Sequence, residues 1–261
     1  MTAWKTAGVA AMAAWCGLAS AQHGGDIVLT IEGGRVVTNR QGGGGTPVPE
    51  RVFGAEFGGT FPNFTDDPGF DSSPGVFPRP AQVGFRLMAA LRVWDGAGFA
   101  AIPDERMAVS FGGGALGPVQ TPTHDEPVMG FGITGGANGQ WHRHYEYMLM
   151  PPARAGVYAM AVEMWTTLAG VSPSETFWIV FNQGEDEATH HAAIVWLRGS
   201  LAGCAADFNG DGFVDFFDAD AFVACFEGVE CPADRTGDFN GDGFVDFFDL
   251  DAFVSAFEAG C

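Results

Sequence analysis

The chain has 261 residues, of which 47% are hydrophobic and 17% charged, so it is long and apolar enough to bury a substantial core. Its formal net charge is −20, and its single lysine is Lys5. An acidic excess of this size repels nucleic acid phosphates, which excludes nucleic acid as a partner.

Residues 1–21 have the pattern of a secretory signal. Lys5 gives a positive start, residues 6–18 are mostly apolar, and small residues precede Gln22. The apolar run is too short to span a bilayer, so we expect no membrane span after cleavage. Cys16 follows Trp15, where a lipidation motif requires a small residue, which favours ordinary cleavage over lipid attachment. The mature protein is predicted to be secreted or to lie in the cell envelope.

Residues 22–200 alternate short β-type runs with Gly- and Pro-rich turns, which predicts a β-sandwich or jelly-roll domain. "DIVLTIEGGRVVTN" reads as a hairpin that turns at residues 32–34. Segments 41–50 and 66–80 are predicted loops, and residues 187–201 are the one predicted helix. Further strands are predicted at residues 83–94, 107–111, 128–133, 141–150, 156–167 and 176–182.

The segment "WHRHYEYM" is the main candidate for chemistry in this domain. On a strand, alternation places His142, His144 and Glu146 on one face, opposite Trp141, Arg143, Tyr145 and Tyr147. The two imidazoles would lie about 7 Å apart at Cβ, close enough to share one ion. His23, with Asp26 near it, is a third candidate ligand, and such a set suits Zn²⁺ or Cu²⁺. The alternative is a solvated face above an aromatic core.

The remaining histidines are weaker candidates. His124 lies in a predicted loop beside two acids and is an outside candidate for a ligand. His190 and His191 open the predicted helix, where we expect surface positions.

Enzyme motifs are absent from this sequence. It has no GxSxG, no HExxH and no phosphate-binding glycine loop, and residues 22–200 contain no cysteine. The expectation is therefore a non-enzymatic protein. The alternatives are a carbohydrate-binding or adhesive β-sandwich and a hydrolase of unrecognised type. The sugar-stacking alternative would use the tryptophans of this domain: Trp94, Trp141, Trp165, Trp178 and Trp196.

Several segments of this domain resemble a group of exported, β-rich bacterial proteins, some with PEP-CTERM sorting tails and linked to zinc limitation. The resemblance lies in "FTDDPGF", "ANGQWHRHYEY" and "FWIVFNQGEDE". It implies an envelope protein that binds metal, zinc above all.

Residues 201–261 form an acidic second domain with an internal repeat. They contain fourteen Asp and Glu residues against Arg235 alone, and residues 207–223 recur at 238–254 with one change, Ala219 to Leu250. Each copy has oxygen donors at the spacing of an EF-hand loop, with glycine at position 6, which predicts two Ca²⁺ ions. The predicted ligands are Asp207, Asn209, Asp211, Phe213, Asp215 and Asp218, then Asp238, Asn240, Asp242, Phe244, Asp246 and Asp249.

A helix-like segment follows each loop, at residues 218–227 and 249–258, and no helix is predicted before it. Loop plus helix, duplicated, with "VDFFD" and a Gly–Cys end, resembles a type I dockerin module of the variant found in exported planctomycete proteins. The resemblance implies a calcium-dependent tether for a cohesin-like or other cell-surface receptor. Phe216–Phe217 and Phe247–Phe248 stand where cellulosomal dockerins present small hydroxylated residues, so the receptor differs.

The four cysteines left after signal cleavage all lie in this second domain. An even number in an exported segment predicts two disulfides, with three possible pairings. Symmetry of position favours Cys204–Cys261 with Cys225–Cys231. A zinc site is disfavoured because the segment has neither CxxC spacing nor a histidine.

Overall fold

The structure, a computed structural model, describes residues 25–59, 61–201, 205–209, 216–232, 235–240 and 243–259. The predicted signal at 1–21 and His23 therefore lie outside the described residues. Within them the chain is mainly β, with several sheets and a late helix, which confirms the predicted class. None of the helices in these ranges is long and apolar enough to cross a membrane.

The first sheet contains the predicted N-terminal hairpin. β1 (Ile27–Glu32) pairs antiparallel with β2 (Arg35–Gln41), and Gly33 and Gly34 turn the chain with positive φ angles. β3 (Pro47–Pro49) extends the sheet beside β2. The two-residue strand β6 (Phe70–Asp71) pairs parallel with the start of β1.

The largest sheet has the strand order β11-β7-β13-β14-β4, with β8 also paired to β13. β13 is buried along nearly its whole length because both faces of the sheet are covered, which explains its continuous apolar sequence. β14 and β4 pair parallel, and the other pairs are antiparallel. The strands are β4 (Val52–Glu56), β7 (Gln82–Leu87), β8 (Arg92–Val93), β11 (Val128–Thr134), β13 (Gly156–Thr166) and β14 (Phe177–Gln183).

The third sheet is antiparallel, with the order β10-β9-β12-β5. Its strands are β5 (Phe64–Thr65), β9 (Met107–Phe111), β10 (Leu116–Gln120) and β12 (Glu146–Leu149).

One apolar core joins the three sheets. Ile27 and Phe70 come from the first sheet, Tyr147 from the third, and Phe85 and Ile179 from the largest, and all are buried. A second cluster covers the other face of β13 and β14, where Ala193 and Leu197 of helix α1 (Glu187–Leu201) pack. The predicted bounds of this helix are confirmed.

Two predicted strands are shorter in the structure. The segment predicted at 83–94 divides into β7 and β8, because the chain between them turns and the amide of Ala90 donates to the Asp125 carboxylate. The segment predicted at 141–150 is a strand only at β12. Before β12, the Trp141 amide donates to the Ser72 hydroxyl and not to a neighbouring strand.

The C-terminal residues form two helices that pack around phenylalanines. They are α2 (Phe216–Phe226) and α3 (Phe247–Ala259). α3 contains the predicted segment 249–258, and α2 ends one residue before the predicted end at residue 227. Phe222 of α2 stacks on Phe253 of α3 with ring centroids 4.2 Å apart, and Phe208 packs edge-on against both. Phe222 and Phe253 occupy the same position in the two repeats, and both belong to one shared core.

Candidate metal site

His142, His144 and Asp26 converge at the edge of the first sheet. One ligand atom from each lies within 4.8 Å of the other two. His142 Nδ1 is 3.4 Å from Asp26 Oδ2, and His144 Nε2 is 3.7 Å from Asp26 Oδ1. Asp26 thus offers one oxygen to each imidazole. Of the predicted residues, His142 and His144 meet the nearby Asp26, while His23 lies outside the described residues.

Backbone hydrogen bonds hold these three residues together. The Ile27 amide donates to the Gly69 carbonyl at 2.8 Å, which fixes Asp26 at the entrance to β1. Phe70 and Arg143 exchange two backbone hydrogen bonds of 2.8 and 2.9 Å, which places the histidine segment against β6. The two-residue strand β6 is therefore the common support of the site.

Gly69 leaves the space that the cluster needs. A Cβ at this position would lie 2.6 Å from Cε1 and Nε2 of His144 and 2.7 Å from Oδ1 of Asp26. No side chain fits at these distances without moving one of the two groups. Close approach of His144 to Asp26 thus depends on glycine here.

A hydrogen bond on the side of the ring away from Asp26 orients His144. Its Nδ1 lies 2.9 Å from the backbone carbonyl of Asp66, which can only accept, so Nδ1 carries the proton. Nε2, on the other side of the ring, faces Asp26. Metal-binding histidines commonly have such an outer partner, which fixes the tautomer of the ring.

The separations between the histidines and Asp26 are longer than hydrogen bonds. An N–H···O hydrogen bond measures about 2.7–3.2 Å, shorter than the 3.4 and 3.7 Å found between the histidines and Asp26. The two distances end on different oxygens of the Asp26 carboxylate.

A second group of potential ligands, Glu56, Glu187 and His190, has a different geometry. His190 Nδ1 lies 2.8 Å from Glu56 Oε1, and its Nε2 lies 2.9 Å from the Val180 carbonyl. Both are hydrogen-bond distances, and a ring that donates from both nitrogens is an imidazolium. Burial alone would lower the pKa of His190, but the hydrogen bonds to Glu56 and Val180 outweigh it and raise that pKa. His190 and Glu56 therefore form an ion pair in which the imidazole is buried and the carboxylate is partly exposed.

The position of His190 differs from the sequence expectation. It is buried, with 5% of its surface exposed, whereas its neighbour His191 is exposed as predicted. The difference arises because α1 lies on β4 and β14, and one face of its first turn is covered by them. The acidic partner, Glu56, is on a strand that the sequence analysis did not predict.

Glu146, a predicted ligand, lies away from the two histidines. Its carboxylate accepts hydrogen bonds from the Ser110 hydroxyl at 2.9 Å and the Gly113 backbone N–H at 2.6 Å. Glu146 therefore stabilises the turn that follows β9. The strand begins only at Glu146, so the alternation that predicted a common face does not extend to His142. His124 is exposed and pairs with Glu126, apart from the cluster.

The two tyrosines of the same segment belong to the hydrophobic core. Tyr145 and Tyr147 are buried, as the alternation predicted, together with Trp141. Burial raises the pKa of both phenols far above the ordinary value of about 10. Both hydroxyls therefore stay protonated at neutral pH and act in packing.

Of the tryptophans considered for sugar binding, Trp141 is buried, Trp196 is exposed, and the others are half-buried: Trp94, Trp165 and Trp178. Trp141 is fully buried, and the Trp165 indole donates to the Phe85 carbonyl. Trp196 is 40% exposed, and it packs edge-on against Trp94, which limits its free face.

A groove of about 490 Å³ lies between β2, β4 and the end of α1. Three of its arginines are paired with carboxylates of the groove itself. Arg35 and Arg51 both contact Glu175, and Arg198 contacts Glu50. Three arginines thus share two carboxylates, which leaves the groove with one positive charge in excess.

In the C-terminal repeat, the carboxylate at loop position 12 is directed back into its own loop. The backbone N–H of Asn209 donates to Asp218 Oδ1, and the backbone N–H of Asn240 donates to Asp249 Oδ1, each at 3.0 Å. Asp218 and Asp249 are both buried. In the second copy, hydrogen bonds from the amides of Asn240 and Asp246 lower the pKa of Asp249, which keeps it ionised.

The second copy also shows the predicted turn. Gly243, at position 6, has a φ of 92°, and its amide donates to Asp238 at 2.9 Å. Two of the calcium ligands predicted in this copy, Phe244 and Asp246, are exposed. Four predicted calcium ligands lie outside the described residues: Asp211, Phe213, Asp215 and Asp242.

One disulfide joins Cys225 at the end of α2 to Cys231. This pairing was one of the two predicted. Cys204 and Cys261 lie outside the described residues.

Comparison with protein-family models and with curated proteins gives no match. One solved structure that matches is a family 123 glycoside hydrolase from Clostridium perfringens, studied for glycolipid glycan hydrolysis. The identity is 12% and the TM-score 0.26, over 52% of this chain and 23% of the hydrolase. A likeness of this size defines neither a common fold nor a common activity.

Proposed function

We propose that this is an exported, non-enzymatic envelope protein whose β-sandwich body binds Zn²⁺ and whose C-terminal module tethers it through calcium. The observation that carries the metal function is the convergence of Asp26, His142 and His144 around one point. Two neutral imidazoles and a carboxylate are preferred ligands of Zn²⁺. The same donor set also suits Cu²⁺, so the metal analysis below has to measure both ions.

Exposure of the cluster supports a binding role rather than a structural one. The side chains of His142 and His144 are 52% and 35% exposed, and that of Asp26 is 28% exposed. An ion there would be in contact with solvent and could exchange. Deeply buried structural zinc sites, by contrast, are closed on all sides by protein ligands.

Several carboxylates of the β domain that could serve a hydrolase are engaged in other contacts. Glu163 pairs with Arg86 across β13 and β7, at 3.1 Å. Glu175 pairs with two arginines, and the Asp186 carboxylate accepts a hydrogen bond from the Thr189 amide in the first turn of α1. These contacts favour the non-enzymatic proposal, because a glycosidase needs two carboxylates facing one another across a cleft.

The C-terminal module is proposed to bind two Ca²⁺ ions and to dock on a cohesin-like or other surface receptor. The proposal is supported by the position-12 carboxylates, which already lie within their loops, and by the turn at Gly243. Fixed Asp oxygens at these positions reduce the reorganisation needed when a cation enters.

Metal analysis of the full-length mature chain tests the proposed zinc function. We expect one zinc per chain after dialysis against Zn²⁺ and removal of free ion, measured with the calcium sites saturated. The double variant H142A/H144A should lose this zinc because two of its ligands are gone. The matched control H124A/H191A removes two exposed histidines outside the cluster and should keep it. A wild-type chain without zinc, or equal zinc in both variants, would contradict the proposal.

A further inference from the structure

Asp71 lies beside the three-residue cluster and is not part of the predicted ligand set. It stands on β6, where its register partner is Val28 of β1. Since its neighbour Phe70 is buried in the core, alternation directs Asp71 to the opposite face, which it shares with Asp26. The face of the first sheet that holds Asp26 therefore carries a second carboxylate, that of Asp71.

The contacts of Asp71 connect it to the site. Its Oδ1 lies 3.5 Å from His142 Nδ1, almost the same distance as Asp26 Oδ2 from that nitrogen. The same Oδ1 accepts a hydrogen bond from the Gln140 side-chain amide at 3.1 Å, the kind of outer partner that orients a metal-binding carboxylate. Two carboxylates therefore flank one imidazole nitrogen.

From this geometry we infer that Asp71 is the fourth protein ligand of the proposed zinc site. The inference rests on the proposed metal function. Two neutral imidazoles and two carboxylates balance the charge of a divalent ion and fill a tetrahedral shell. Asp71 stands just outside the group of three, so its carboxylate must turn toward Asp26. Two like charges resist that approach until a cation lies between them.

Asp67 provides a matched comparison. Its Oδ1 is also 3.5 Å from a histidine nitrogen, but that nitrogen is Nδ1 of His144. This atom faces the Asp66 carbonyl, while Nε2 of the same ring faces the cluster. Asp67 therefore lies on the far side of the imidazole and does not reach the ion. Asp67 and Asp71 have the same charge and the same distance to a ring, but only Asp71 is placed to bind the metal.

Cobalt absorption of the full-length chain tests the assignment, because four-coordinate and higher-coordinate Co²⁺ differ strongly in band intensity. We expect wild type and D67N to give the intense tetrahedral spectrum. D71N should lose it and bind zinc about 100-fold more weakly or worse. D71E, which restores a carboxylate, should recover part of the intensity, and circular dichroism confirms that each variant is folded.

The alternatives give different results. A D71N spectrum equal to that of wild type overturns the assignment while the zinc function stands. Loss of the spectrum in H23A with retention in D71N also overturns it, and identifies His23 as the fourth ligand. A wild-type chain that takes up neither cobalt nor zinc removes the metal function itself.

Discussion

Hydrogen-bond partners determine which nitrogen of each histidine is available to a ligand. His144 has its Nδ1 on the Asp66 carbonyl and its Nε2 toward Asp26, so one nitrogen is left for a metal. His190 has both nitrogens in hydrogen bonds, and none is left. The two histidines therefore differ in chemistry because their hydrogen-bond partners differ.

Replacement of Gly69 by alanine should weaken zinc binding without unfolding the protein. The new Cβ would lie 2.6 Å from the His144 ring, so the ring or Asp26 must move away. We expect zinc affinity to fall at least about tenfold, the effect typical of a disturbed ligand orientation. Isothermal titration with Zn²⁺ measures it.

G25A is the control for that variant. A Cβ at Gly25 would meet no atom within 4 Å, so zinc affinity should stay near that of wild type. Equal affinities for G69A and wild type would show that the cluster does not need the space at Gly69.

At the scale of elements, the His190–Glu56 pair joins α1 to β4. The helix contributes the imidazolium and the strand contributes the carboxylate, and the Val180 carbonyl of β14 accepts the second N–H. A buried charge left without its partner is costly, so the pair fixes where the helix lies on the sheet.

E56Q should make the chain less stable at acidic and neutral pH. Because the pKa of His190 is raised in the folded state, the stabilisation is fully present below the ordinary histidine pKa of about 6.5. It is lost as pH rises through the raised pKa. We expect a deficit of about 1–2 kcal/mol at low pH that shrinks at high pH.

Urea unfolding of wild type and E56Q over a pH series measures this difference. H191Q, which changes the exposed neighbour, serves as the control and should follow wild type throughout. A deficit that is constant over the series would mean that the pair is not titrating in this way.

At the scale of the whole molecule, charge is concentrated in the C-terminal domain. Fourteen acids lie within residues 201–261, and the described repeats fold around a small core of phenylalanines. That core is small for a stable domain, so bound cations and a disulfide are expected to supply much of its stability.

Calcium should fold this domain in the full-length chain. After chelation, titration with Ca²⁺ is expected to show two binding events and a gain in helical circular dichroism, because the aspartates repel one another without a cation. D218N and D249N should each weaken one event. D220N removes an exposed acid of α2 and is the control. An unchanged spectrum on addition of Ca²⁺ would reject the calcium proposal.

The sequence by itself was sufficient for features set by local periodicity. Alternation predicted that Trp141, Tyr145 and Tyr147 share a core face, and all three are buried although only Tyr147 lies on the observed strand. Apolar spacing predicted the bounds of α1. Such patterns depend only on the repeat of a strand or helix, so they can be read from neighbouring residues. The Cys225–Cys231 pairing also joins residues that are close in sequence.

Only the tertiary structure brought Asp71 to the candidate metal site and showed how Asp26 reaches the two histidines. Asp71 lies in a Pro- and Gly-rich segment predicted as a loop, and its strand has two residues, too few for a detectable alternation. Parallel pairing with β1 brings it beside Asp26, and the bridge to Arg143 brings the histidines to both. These contacts join residues far apart in the chain. Local periodicity therefore could not reveal them, because they depend on how three separate segments pack.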